Sequence, residues 1–351
     1  MANQGTERKP ELDVAKGLTM FLVVFSHVYL KRTNLSNWIF MFHMPAFFLF
    51  AGMTFKPEKY IGKQQGLVLF LKDKWKSRIV PYLTITMIGF LICMIRPYYR
   101  QPILDMGWRY MIKWIFYYAQ PKELYIGQVW FLVGLFAAEL FTYVWFLLTR
   151  NKNLGIKLLS LCIMAGLAMR MPYLNASLAF GQRLPWKLDT GLCAAVFLIV
   201  GYYLKKWNLF ERCKGAEWFL CPFCLWLSYY LGPRIHGYTN ICDCTYSPGP
   251  YYYMVAILGT AAIYFFAILC RRCHFWQYCG KHSLALLAMQ TFLIWIVAEV
   301  INTYTGMELE PLRIPDKGIS LAITVAVFML MVLFLYIRDC CTNLLTKRLH
   351  K

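Results

Sequence analysis

Runs of about twenty mostly apolar residues recur from one end of this chain to the other, and nothing constrains its fold more. A helix of that length crosses the hydrocarbon core of a bilayer. Lipid offers the backbone no hydrogen-bond partners, so spanning segments must be helices or closed barrels. The runs lie near residues 14–31, 38–55, 79–96, 128–148, 155–170, 188–206, 216–232, 251–270, 282–302 and 319–337. The expected fold is all-α, a polytopic transmembrane helix bundle of about ten spans. Apolar residues form 59% of the 351 positions and charged residues only 15%, against about 25% charged in an ordinary soluble domain. The surplus apolar surface therefore faces lipid. One membrane domain over residues 1–351 with no soluble domain is expected, because the chain stops soon after the last run.

The formal charge of +20 would suggest nucleic acid in a soluble chain, but that reading needs a basic face on a folded domain. No nucleic-acid partner is expected. The cations instead collect in alternate connections: Lys56, Lys59, Lys63 and Lys72 to Arg78; Arg150, Lys152 and Lys157; Lys205, Lys206, Arg212 and Lys214; Arg271 and Arg272; then Arg338, Lys347, Arg348 and Lys351. The opposite connections hold Lys31, Arg32 and Arg234, then Arg313 and Lys317 beside Glu308, Glu310 and Asp316. The positive-inside rule places both termini in the cytoplasm. Residues 97–127 run against this trend with Arg100, Arg109, Lys113 and Lys122. Within them Met106–Gln120, aromatic with two cations four apart, suits a helix lying in the outer interface. The first run is no signal peptide, since it follows a mixed-charge start, contains His27 and lacks an Ala-x-Ala exit. Most of the thirteen cysteines sit in apolar runs, where Cys packs as a small buried residue. Cys242 and Cys244 form a C-x-C in a loop, which lacks the paired spacing of a zinc site. No metal is expected.

Ionisable groups inside spans are costly and mark candidate sites. His27, His43, Glu139 and Asp189 are such groups, with Asp13 and Lys16 at the mouth of the first span. Lys16 and His27 are eleven residues apart, about three helical turns and roughly 16 Å. They share a face, and Asp13 lies almost on the same stripe. A snorkelling Asp13–Lys16 ion pair at the water boundary is the alternative. The short connection after span one makes spans one and two antiparallel neighbours, so His27 and His43 lie at similar depth toward the outside. A buried histidine suits a general base; a histidine bonded to a carbonyl is the structural reading. The run Lys72–Arg78 (KDKWKSR) precedes Pro81 at the start of span three. Its cations suit a phosphate-bearing ligand or anionic membrane lipid. Glu139 can orient a base or pair with a cation.

The segments ELDVAKGLTMFLVVFSHVY (11–29) and IFMFHMPAFFLFAGMTF (39–55) resemble the opening of the membrane-bound acyltransferase-3 family. Lys16 and His27 fit the family's basic residue, ten intervening residues and histidine. Phe42–Pro45 matches F-H-M-P, and Gly52 the small residue after it. SRIVPYL (77–83), VWFLVGLFAAEL (129–140), which contains Trp130, LPWKLDTGLCAAVFLIVGYYLKK (184–206), which contains Asp189, and YCGKHSLALLAMQ (278–290) continue the resemblance along nearly the whole chain. Two departures stand out. Trp75 replaces the first arginine of the family's R-x-x-R pair, with Arg78 in the second place, and Gln290 stands where a late histidine often falls.

The resemblance implies an acetyl-CoA-dependent O-acetyltransferase of polysaccharides and other envelope glycans, a multi-pass protein of the bacterial cytoplasmic (inner) membrane. Acetyl-CoA would be the cytoplasmic donor, with Lys74, Lys76 and Arg78 as candidate cofactor contacts. The acceptor would be a glycan or lipid-linked sugar, with membrane lipid and separate glycan-assembly proteins as partners. His27 would act as base or acyl carrier, Lys16 and Asp13 would line the path and His43 would assist positioning. Trp130, Glu139 and Asp189 are substrate or structural candidates. A glycan exporter or flippase shares the spans and interior polar groups, but the chain shows no inverted repeat and no pair of broken helices.

Overall fold

A computed structural model of the protein describes residues 9–29, 33–95, 101, 103–105, 107–121, 124, 126–177, 183–232, 239–246, 250–306, 314 and 316–349. Lys31, Arg32, Arg100, Met106, Lys122, Arg234, Glu308, Glu310, Arg313 and Lys351, used above to judge orientation, lie outside the described residues; so do the side chains of Lys347 and Arg348.

The protein is a helical bundle, and each apolar run is a helix. They are α1 (Pro10–Val28), α2 (Asn34–Thr54), α3 (Gly66–Ile95), α4 (Trp130–Leu148), α5 (Leu154–Ser177), α6 (Leu188–Lys206), α7 (Glu217–Leu231), α8 (Pro250–Leu269), the short α9 (His274–Lys281), α10 (Ser283–Thr305) and α11 (Lys317–Leu349). Among the described residues eight helices are long and apolar enough to cross a membrane. The two remaining runs are α1, which carries Glu11, Asp13 and Lys16 in its first turns, and α7, which has 15 residues. With these the protein is a polytopic membrane bundle. Its large exposed apolar side chains, such as Ile95, Leu148, Leu159 and Phe334, lie along the helix exteriors.

One helix starts earlier than expected. The basic run Lys72–Arg78 is not a loop before span three but the first half of α3, which begins at Gly66. Pro81 has no N–H to give the preceding turn, and the helix absorbs this by widening to a π-turn over Trp75–Ile79, with Val80 N–H donating to Trp75 O. Within residues 106–120 the described helix is shorter than the whole stretch and unbroken from residue 108 to 117. Trp108–Ile112 is a single α-turn, a π-turn follows over Lys113–Tyr117, and the chain then bends through Ala119 at φ +50°.

Close helix packing depends on glycine. A Cβ on Gly52 of α2 would strike the Leu198 backbone of α6, and one on Gly201 of α6 would strike the Leu49 backbone of α2. Gly17 of α1 and Gly280 of α9 are paired in the same reciprocal way, against Trp276 O and Asp13 O. Small residues let backbones approach where lipid removes the hydrophobic drive between helices. The result fixes α2 on α6 and α1 on α9, which sets the axial position of both histidine-bearing helices. α11 lies across α10 and α1 through a stripe of Ser320, Thr324, Val327, Met331 and Leu335, all buried at helical spacing.

Candidate functional site

Two cavities are stacked along the bundle axis between α1, α2, α4 and α10. The first, about 330 Å³, is lined by Val23, His27, Phe40, His43, Gln128, Trp130, Thr291 and Trp295 among others. The second, about 180 Å³, is lined by Lys16, Met20, Thr54, Arg78, Ser283 and Leu284 among others. Met44 and Leu287 belong to both walls. On α1 the lining residues are Lys16, Met20, Val23 and His27, spaced so that they form one helix stripe. The face that the eleven-residue spacing predicted therefore runs past both cavities. The first cavity lies where α1 ends and α2, α4 and α6 begin. The second lies toward the end where the basic connections gather.

His27 and His43 meet in the first cavity, with Phe40 between them. The Phe40 ring stands edge-on to His27 at 6.3 Å and to His43 at 5.0 Å. His43 is 1% exposed. Its Nδ1 lies 2.6 Å from the carbonyl oxygen of Ile39. A carbonyl only accepts, so Nδ1 carries the proton and Nε2 is the acceptor. The carbonyl-bonded histidine of the structural reading is thus also a ring held in one tautomer.

At the level of the second cavity, Glu139 of α4 is 2% exposed and bound by two cations of α3. Lys74 Nζ donates to Oε1 at 2.9 Å, while Arg78 Nε and Nη2 donate to Oε2 and Oε1 at 3.2 and 3.0 Å. This two-point clasp is the geometry at which arginine binds carboxylate best. Arg78 and Lys16 line the cavity, and Arg78 shares the Glu139 carboxylate with Lys74. Lys76 points outward and is exposed. Asp13 is buried where α9 crosses α1 and lines neither of these two cavities.

Loop segments around residues 107–121 and 239–246 close the first cavity, and sequence reasoning singled out few of their residues. They bring in Gln120, Asn240, Cys242 and Asp243. Behind them Lys187 is 2% exposed. Its Nζ donates to Gln120 Oε1 at 2.6 Å and to Cys242 O at 3.2 Å and sits 5.7 Å from the Trp130 ring centroid. Arg183 bonds Asp189 Oδ2 at 2.8 Å and also Cys242 O and Thr190 Oγ1. Asp189 is fully buried, further bonded by Asn175 Nδ2 at 2.8 Å, and serves as the anchor of this wall rather than its lining. Burial pushes the Cys244 thiol up to about 11, with Asp189 adding to the shift. Gln128 Nε2 donates to Thr291 Oγ1 across the cavity mouth. A polar residue flanked by loop glycines or aromatics gives no periodic signal, so these positions were not separable from ordinary loop in the sequence.

Among the sequence candidates, the structure gathers His27, His43 and Trp130 in the first cavity and Lys16 and Arg78 in the second. Lys74 and Glu139 stand beside the second, and Asp189 stands behind the first. Gln290 is fully buried on α10, and neither amide atom has a hydrogen-bond partner among the described residues. No curated protein and no solved structure matches the chain with significance. A family model described as an acyltransferase domain matches residues 9–338. That span includes both cavities and every candidate residue, and this integral membrane protein belongs to the acyltransferase-3 family of acyltransferases.

Proposed function

We propose that the protein is an O-acetyltransferase that takes acetyl from cytoplasmic acetyl-CoA and delivers it to a hydroxyl of a cell-surface glycan or lipid-linked sugar. The observation that carries this reading is the stacking of a cationic cavity on a histidine cavity through one shared pair of side chains, Met44 and Leu287. Positive-inside loops favour the basic end as cytoplasmic. A cavity of about 180 Å³ is too small for a nucleotide but admits a slender thioester arm. The phosphates of CoA then stay at the basic surface with Lys76, and Lys16 and Arg78 meet the arm. His27 takes the acceptor proton as general base. His43, with Nε2 set as acceptor by the Ile39 carbonyl, accepts a hydrogen bond from a neighbouring hydroxyl of the acceptor and so orients it.

The test is labelled acetyl-CoA supplied to purified protein in liposomes. Label should leave CoA for water or a sugar acceptor, while an exporter ignores it. His27→Ala should lower turnover by about 10²–10⁴-fold, the usual contribution of a general base, in protein that still elutes as a folded species. His43→Asn, which keeps an acceptor, should retain more activity than His27→Ala. Full activity in His27→Ala would remove that residue from the chemistry, and an inactive His43→Asn beside a partly active His27→Ala would exchange the two roles.

A further inference from the structure

Backbone strain in this molecule is not spread evenly. Among the described residues six non-glycine residues have positive φ: Gln65, Ala119, Trp186, Lys187, Asn208 and Cys244. Four of them lie around the first cavity: Ala119 and Cys244 next to residues that line it, and Trp186 and Lys187 on the segment behind that lining. Such a residue is strained and persists only where its surroundings over-determine it. The strained turns converge on one hydrogen bond. Ala119 turns the chain so that Gln120 enters the cavity wall, and Trp186 and Lys187 turn it so that Lys187 Nζ reaches Gln120 Oε1 at 2.6 Å.

The chemistry of that bond settles which way the Gln120 amide points. An ammonium only donates, so the contacting atom is the oxygen and the NH₂ is the other end. Gln120 is buried and lines the first cavity, and its Nε2 donates to no group among the described residues. Lys187 has no carboxylate within ion-pair distance among the described residues. Its charge is met by the Gln120 and Cys242 oxygens and the Trp130 face. A cation on the amide oxygen polarises the amide and strengthens its N–H as a donor. The first cavity therefore holds a fixed donor together with His43, a fixed acceptor.

We infer that Gln120 Nε2 is the group that stabilises the oxyanion of acetyl transfer, and that Lys187 is a positioning residue acting through it; this rests on the acetyltransferase reading above. In the reaction the acceptor oxygen bonds to the thioester carbonyl carbon and its proton passes to His27. The carbonyl electron pair moves onto oxygen, where it receives the hydrogen bond from Gln120 Nε2. When the carbonyl re-forms, the C–S bond breaks, and the thiolate takes the proton from His27 to leave as CoA thiol. A donor aimed at developing charge in a water-poor site is worth far more than one in water.

The test compares wild type, Gln120→Leu, Lys187→Met, Lys187→Arg and the Gln120→Leu/Lys187→Met double variant in liposomes, with elution profile as the folding control. Gln120→Leu should lose about 10²–10³-fold in kcat, the cost of removing one oxyanion donor, with KM for acetyl-CoA within about threefold. Lys187→Met should show the same kcat-selective loss in smaller degree, and Lys187→Arg should recover much of it. The double variant should be no worse than Gln120→Leu alone, because Lys187 acts through Gln120. Wild-type transfer combined with unchanged kcat in Gln120→Leu overturns the inference and leaves the acetyltransferase standing. Additive losses in the double variant overturn the positioning role of Lys187. A wild type that leaves acetyl-CoA untouched overturns both readings together.

Discussion

The two cavities are built by different means. The lower one is made of helix: Lys16, Arg78, Thr54 and Ser283 project from α1, α3, α2 and α10, and Arg78 is paired with a carboxylate on α4. The upper one has helix on one side and strained loop on the other. Buried charge inside a membrane needs a rigid frame that neutralises it. The hydroxyl-rich acceptor proposed for the upper cavity would call for directional hydrogen bonds, which loops can aim at angles a helix cannot. The lower cavity is thus organised by charge and the upper by hydrogen-bond direction.

The sharpest way to break that contrast is at Glu139. In Glu139→Gln two half-buried cations lose their only carboxylate among the described residues, and removing one partner of a fully buried pair costs about 3–5 kcal/mol, an upper bound here. The thermal midpoint of detergent-solubilised protein should fall substantially; an unchanged midpoint would mean that the lower cavity is not charge-organised. A smaller effect is expected at the neck. Met44→Trp fills the space shared by the two cavities and should cut transfer by at least about tenfold, equivalent to 1.4 kcal/mol, while acetyl-CoA still binds from the basic end. Transfer at the wild-type rate would separate the cavities into unrelated pockets. The smallest effect is expected at Gln290, on α10 between Leu287 and Thr291. Its orphaned amide is a desolvation cost, so Gln290→Met should stabilise the fold by about 1 kcal/mol. If it instead lowers transfer without stabilising, Gln290 belongs to the passage.

How far the sequence disclosed this arrangement follows from the physics of each element. Spans are legible because lipid demands long apolar runs, and the pairing of His27 with His43 followed from helix periodicity and one short connection. The Lys16–His27 stripe was legible for the same reason. The start of α3 was not, because Lys74 and Arg78 look like loop until Glu139, some sixty residues away, neutralises them. Lys187 and Gln120 were hidden further. Each is an ordinary polar residue in sequence, and their relation exists only through two left-handed turns and a contact between segments 67 residues apart. Asp189 drew notice as an ionisable group in a span, yet its partners Arg183 and Asn175 show it holding the wall.

The reciprocal glycine contacts carry a consequence for how such an enzyme can diversify. With α2 locked to α6 and α1 to α9 backbone to backbone, the chassis tolerates little drift, and the histidines keep their heights. The three segments around residues 107–121, 183–187 and 239–246 take no part in those glycine contacts. Swapping them between relatives therefore tests whether these segments, rather than the helices, carry the proposed acceptor choice.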